Sequence, residues 1–242
     1  MMNGAYIDGW RGRIGLITPA PGSSTEYEFN ILKPEGVAVL TTRVPLFEIS
    51  YDGIRKMSEY VDQAALMLAK SSVVDLILFS CTAGSFLQGE GFDRELINHL
   101  EALTGIPTTT TSTCILEAMN QLSIKRVNIV TPYSQEINDL EKAFFEGSGI
   151  EVTSISGALL AKSQDTPKIS SREMYRYAIE TDSADADATF VSCTGLHVLD
   201  IIEPLETDLK KPCLTSNQCG LWGCLRHLKI RDAIPGLGRL FA

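Results

Sequence analysis

Histidine is scarce in this 242-residue chain, with three in all, and no Cys-x-x-Cys pair occurs. Cys213, Cys219 and Cys224 stand too irregularly for a zinc site, so no metal is expected. Basic residues are outnumbered, 21 Lys and Arg against 30 Asp and Glu, for a net charge of −9. That balance excludes general attraction to nucleic acid or to an acidic membrane. The richest basic stretches, Lys125-Arg126 and Arg226 to Arg231, are short and read as solvated helix ends or faces. No uncharged apolar run approaches the length that crosses a bilayer. The segment from Met1 to Gly12 carries Asp8 and Arg11 and lacks an adequate apolar core, so no secretory leader is expected. The six cysteines, at 81, 114, 193, 213, 219 and 224, are then expected as free thiols in a reducing cytoplasm. The loop Pro19-Ala-Pro-Gly-Ser-Ser24 has no phosphate-loop lysine, which removes support for nucleotide binding. Its Gly22, Ser23, Ser24 and Thr25 read equally as an anion cradle or as a plain loop.

What is present is an internal echo. Asp75-Leu-Ile-Leu-Phe-Ser-Cys81-Thr82 is matched 112 residues later by Asp187-Ala-Thr-Phe-Val-Ser-Cys193-Thr194. Leu16-Ile-Thr-Pro19 is matched by Ile129-Val-Thr-Pro132, and Pro107-Thr-Thr-Thr more weakly by Pro212-Cys-Leu-Thr. Three echoes in one order imply duplication, with a period far too long for a solenoid and suited to two small α/β lobes. The composition, 44% hydrophobic and 21% charged, is that of a soluble globular protein.

Strand and helix patterns alternate along the chain. Strands are expected at 13–18, 37–43, 73–80, from 106, and at 127–131, 151–155 and 188–192. Helices are expected at 50–70, 92–104 closed by Gly105, 115–122, 135–146 stopped by Gly147, 171–181 and 218–228. Such alternation implies parallel sheets flanked by helices. The expected division is a first lobe of 1–115 plus 216–242 and a second of 116–215, with the active site in the cleft between them.

The repeated cysteines carry the chemistry. An apolar strand ending in Ser-Cys-Thr delivers a thiol to the sheet's C-terminal edge, and two such edges would place thiols on opposite sides of one cleft. A helix starting beside each thiol would lower its pKa. The N–H groups of Thr82, Ala83, Gly84 and Ser85, and of Thr194 and Gly195, are placed to hold a substrate carboxylate. Tyr133, after Thr131-Pro132, is a donor to a substrate oxygen. His197 offers a Cys–His pairing but reads better as a helix-packing residue. Cys114, Cys213, Cys219 and Cys224 read as small buried hydrophobes.

Ile14-Gly-Leu-Ile-Thr-Pro19, Ser80-Cys81-Thr-Ala-Gly-Ser-Phe86, Thr131-Pro-Tyr133, Ser192-Cys193-Thr-Gly195 and Gly238-Arg-Leu-Phe241 resemble the arylmalonate decarboxylase and maleate isomerase family of the Asp/Glu racemase superfamily. The resemblance covers essentially the whole chain. It implies two pseudo-symmetric lobes, no cofactor, Cys81 and Cys193 as catalytic thiols, and a dioxyanion pocket on Thr82, Ala83, Tyr133, Cys193 and Thr194. With Pro19, Gly84 and Gly195 these make the expected substrate-binding set. The decarboxylases resemble the chain but have glycine at the position of Cys81. The maleate isomerases have asparagine where Gly22 stands and a second, substrate-binding asparagine near Ser163.

Three readings follow. The first is a cofactor-independent two-cysteine isomerase or racemase acting next to a carboxylate. The second is an arylmalonate-type decarboxylase with Cys193 as proton donor, and the third a non-catalytic binding protein for small carboxylates. The expected partner is a small carboxylate or dicarboxylate, and any assembly a symmetric homo-oligomer.

Overall fold

The computed structural model describes residues 8–71, 73–159 and 163–242. The side chains of residues 71, 163 and 164 lie outside that description, and with them the reading made of Ser163. The first half runs β1 (Gly12–Pro19), α1 (Ser24–Leu32), β2 (Val37–Val44), α2 (Tyr51–Ser58), α3 (Val61–Ser71), β3 (Leu76–Phe79), α4 (Thr82–Phe86), α5 (Phe92–Thr104), β4 (Thr108–Thr110) and α6 (Thr111–Gln121). The second runs β5 (Arg126–Thr131), α7 (Gln135–Gly147), β6 (Glu151–Gly157), α8 (Ser171–Glu180), β7 (Ala188–Val191), α9 (Ile202–Leu209), β8 (Cys213–Thr215) and α10 (Ser216–His227).

Two four-stranded sheets result, ordered β2-β1-β3-β4 and β6-β5-β7-β8, with every pairing parallel. Helices cover both faces, so β3 (Leu-Ile-Leu-Phe) and β7 (Ala-Thr-Phe-Val) are buried at every residue and lack alternation. The edge strands β2 and β6 are partly exposed, whereas the opposite edges β4 and β8 are buried at every residue. In each sheet the order reverses beside the first strand, between β1 and β3 and between β5 and β7. Open parallel sheets bind ligands in the crevice at the carboxyl ends of strands at such switch points. Pro19 and Cys81 flank the first reversal, and Tyr133 and Cys193 the second.

The halves join through a continuous apolar core. Helix α10 packs on β3 and α1, and crosses α6. Gly223 permits that crossing, since a Cβ there would lie 2.3 Å from Cys114 Sγ. Arg11 also pairs with Asp232, tying the last segment to β1.

The helix expected at 50–70 is two helices. Their apolar stripe is continuous (Ile54, Met57, Val61, Ala64, Ala65 and Leu68), so periodicity does not reveal the break. The bonds Glu59 N–H to Lys56 O and Tyr60 N–H to Met57 O tighten the chain at the junction. Gly105 closes α5 in the left-handed region as expected, whereas α7 runs through Gly147 and the left-handed residue is Gly149. Helices α1 and α9 lie in stretches to which the pattern assigns no element, whereas α4 is the helix expected beside Cys81.

Candidate active site

Cys81 and Cys193 line the same cavity, as do Pro19, Thr82, Ala83, Tyr133, Thr194 and Gly195. Gly84 stands behind this lining, where its N–H donates to Cys81 Sγ at 3.3 Å. Gly195 N–H makes the equivalent 3.3 Å bond to Cys193 Sγ. Thr18, Thr82, Tyr133 and Thr194 bring polar groups to the lining, and Leu46, Ile49 and Ile54 from the β2–α2 connection and α2 give it an apolar part.

The local structures around the two thiols differ. Cys81 is the N-cap of α4, with φ −149°. Cys193 has φ +112°, a conformation that favours glycine, and a turn at Thr194 and Gly195 follows it, with no helix. Holding a non-glycine residue there costs on the order of 1–3 kcal/mol and needs surrounding bonds to enforce it. Those bonds are present. Cys193 N–H donates to Ser216 Oγ at 2.9 Å, and Thr194 O accepts from Ser24 Oγ (2.7 Å), Thr25 Oγ1 (3.1 Å) and Asn217 Nδ2 (3.1 Å). Ser24 and Thr25 thus anchor the second thiol's loop from across the cleft, a use the sequence did not signal. Thr82 Oγ1 donates to Ser216 Oγ at 2.9 Å, so one hydroxyl joins both cysteine segments.

The expectation of thiols acidified by helix N-termini is corrected. Burial pushes Cys81 up to about 12, against the Gly84 N–H, and the neighbouring Cys193 adds to the rise. Burial pushes Cys193 up to about 11, against donation from the Tyr133 hydroxyl and the Gly195 N–H. A five-residue helix offers too little positive potential to offset loss of water around a sulfur. Cys193 accepts from two donors and Cys81 from one, and Cys193 is the less strongly raised of the two. Tyr133 is itself raised by burial and by the Cys193 charge, which keeps it a donor.

His197 lies outside the cavity lining. It stacks edge-on against Tyr27 with Nδ1 3.8 Å from Glu28 Oε1. Glu28 is buried, accepts from Asn217 Nδ2 at 2.7 Å, and is raised to about 8 by burial. Three further residues belong to the site or its support. Gly22 and Thr25 line the cavity, and so does Thr166, whose buried Oγ1 has no partner among the described residues. Thr166 sits in a segment without periodicity, which left no signal to find it. All six cysteines are free. Among the described residues no cluster of His, Cys, Asp or Glu could hold a metal ion, and no helix is long and apolar enough to cross a membrane.

Fold and cavity together define a pseudo-symmetric α/β protein with a thiol at the equivalent strand end of each half. The sequence model of the arylmalonate decarboxylase family matches residues 14–241, and the chain belongs to that family. It is 26% identical over 231 residues to arylmalonate decarboxylase of Bordetella bronchiseptica, covering 94% of this chain and 95% of that protein. It is 24% identical over 238 residues to maleate isomerase of Nocardia farcinica, covering 94% of each. The maleate isomerase Iso of Pseudomonas putida S16, solved with maleate, superposes with a TM-score of 0.91 at 22% identity, covering 95% of this chain and 97% of that one.

Proposed function

We propose that the chain is a two-thiol isomerase or racemase acting at the carbon next to a carboxylate. The observation that carries this reading is that both thiols, each held by an N–H of its own strand-end turn, line one cavity. In racemisation the Cys193 thiolate takes the α-proton, and the C–H electron pair passes into the carboxylate as an enediolate. Cys81, the more strongly protonated thiol, delivers its proton to the opposite face. Donors in the lining, Tyr133 and the N–H groups around Thr82 and Thr194, hold the enediolate, each worth roughly 3 kcal/mol by the scale of oxyanion-hole deletions. In the cis–trans variant a thiolate adds to one alkene carbon, and the π pair moves to the carboxylate-bearing carbon. The resulting single bond rotates before the thiolate leaves. The Nocardia farcinica maleate isomerase, in a cysteine-to-serine mutant, holds a covalently bound succinylcysteine intermediate. The lobes of this reading are 1–115 with 216–242, and 116–215, with the cavity between them.

The apolar wall of Leu46, Ile49 and Ile54 favours a second reading. It seats an apolar substituent better than a second carboxylate, as a substituted malonate would present. Loss of CO2 would then leave an enediolate that Cys193 protonates.

Proton exchange in deuterated water over maleate, aspartate and arylmalonates separates these readings. For the isomerase, Cys81→Ala and Cys193→Ala each abolish net turnover, while the thiol that remains still exchanges the α-proton of a single substrate form. For the decarboxylase, Cys193→Ala is inactive and Cys81→Gly is tolerated. Full isomerase activity in either single alanine variant would refute the two-thiol mechanism.

A further inference from the structure

Glu141 lies on α7 and is fully buried, among residues that otherwise form core. Its Oε1 accepts from Ser192 Oγ at 2.6 Å, and its Oε2 is buried with no partner among the described residues. A carboxylate has about four acceptor positions, and one hydroxyl leaves it poorly solvated when ionised. Ser192 immediately precedes Cys193 and is fixed in the sheet by its N–H to Val130 O at 2.8 Å. Negative charge on Glu141 therefore acts on the sulfur one residue away, and on Tyr133 at the start of its own segment.

Among the described residues no cation faces that charge. The titratable groups facing it are Cys193 and Tyr133, and Cys81 lies beyond them across the cavity. Helix α4, packed against α7, brings only Thr82, Ala83, Gly84, Ser85 and Phe86. Strand β7 carries no charged residue, and Glu151 of β6 is exposed. On α7 itself Glu136, Asp139, Lys142 and Glu146 are exposed, and Lys142 pairs with Glu146.

We propose that Glu141 is a positioning residue for Cys193, a buried acid beneath the site whose negative charge, once formed, holds the proton on the sulfur. Two anions this close in a dry setting oppose one another, so Cys193 ionises more readily while Glu141 is neutral. Burial raises Glu141 to about 8, so it keeps its proton at neutral pH and, once ionised above that, opposes loss of the Cys193 proton. The inference deepens the proposed function by naming what controls its reacting thiol, but its test does not require that function.

Iodoacetamide reacts with thiolate, so the pH dependence of alkylation at Cys193, read by peptide mass spectrometry, reports its ionisation without any substrate. Glu141→Gln keeps the shape and an acceptor for Ser192 while fixing the group as neutral. The Cys193 midpoint should fall by about one unit or more, which is roughly tenfold faster alkylation above pH 9. Ser192→Ala removes the one donor to the carboxylate among the described residues, holds Glu141 neutral to higher pH, and should speed alkylation at Cys193 between pH 8 and 9. Cys114 and Cys213 should stay unreactive, because general loosening would expose them at every pH. An unchanged or raised Cys193 midpoint in both variants, with the buried thiols still protected, would overturn the proposal.

Discussion

Replacing Gly223 by alanine sets two known effects against each other. Within a helix the substitution favours folding by about 1 kcal/mol, because glycine is the poorer helix former. At this position the added Cβ lies 2.3 Å from Cys114 Sγ and 2.8 Å from Cys114 Cβ. Carbon contacts relax at roughly 3.5–4.0 Å, so the pair must part by about 1 Å. Rotating the sulfur relieves only the first contact, since the Cβ moves with its backbone. Both residues sit where α6 and α10 cross, in a fully packed core. Overpacking of this kind costs about 1–3 kcal/mol or more. A separation of about 1 Å puts this site in the upper part of that range, about 2–3 kcal/mol, so the clash wins with net destabilisation of about 1–2 kcal/mol. At about 2–4 °C per kcal/mol for a chain of this size, Tm should drop by roughly 2–8 °C. Calorimetry on Gly223→Ala, Cys114→Ala and the double variant completes the test. Cys114→Ala alone leaves a cavity, but in the double variant the new methyl partly fills it, so the double should be more stable than the sum of the singles predicts, by about 1 kcal/mol. An unchanged or higher Tm for Gly223→Ala, or strict additivity in the cycle, would refute the argument from close approach.

Two stability predictions accompany those already given for the thiols and Glu141. Glu28 is raised to about 8 in the fold from an ordinary 4.5, so the folded state binds the extra proton between those values. Its contribution is full below about pH 4.5 and is lost as pH climbs through 8. That gives at most about 1.4 kcal/mol per pH unit. Glu28→Gln should flatten the fall in Tm between pH 5 and 8, and an unaltered slope would show that Glu28 is already ionised. Cys193→Gly should be more stable than Cys193→Ala by about 1 kcal/mol or more, since only glycine accepts φ +112° without strain. Equal chemical denaturation midpoints would remove that strain from the account.

Much of the fold was legible because buried parallel strands are short apolar runs that need no partner to be recognised. The strand-end thiols were legible for the same reason, since Ser-Cys-Thr recurs where each run stops. The divergence after them was not. Thr82-Ala-Gly-Ser-Phe86 turns into a helix and Thr194-Gly195 into a turn, although the phrases leading in are alike. Helix α1 was hidden because its start, Ser24-Thr25, continues a Gly/Ser-rich stretch that reads as loop. Glu28 and Glu141 were hidden by their neighbours. Each sits on a helix, where a carboxylate is normally solvated, and only the tertiary packing shows that these two point inward. Thiol acidity was misjudged because helix potential can be read from sequence and desolvation cannot.

The left-handed backbone at Cys193 gives selection a conflict that no other residue of the cavity presents so sharply. A population drifting under heat alone, with no demand on turnover, is drawn to glycine at that codon, because the strain vanishes with the side chain. The gain in robustness and the loss of the sulfur are then one event. Libraries screened for folding yield would enrich handsome, inert proteins. Only a screen that also reads chemistry would keep the thiol, and the tension around it, in place.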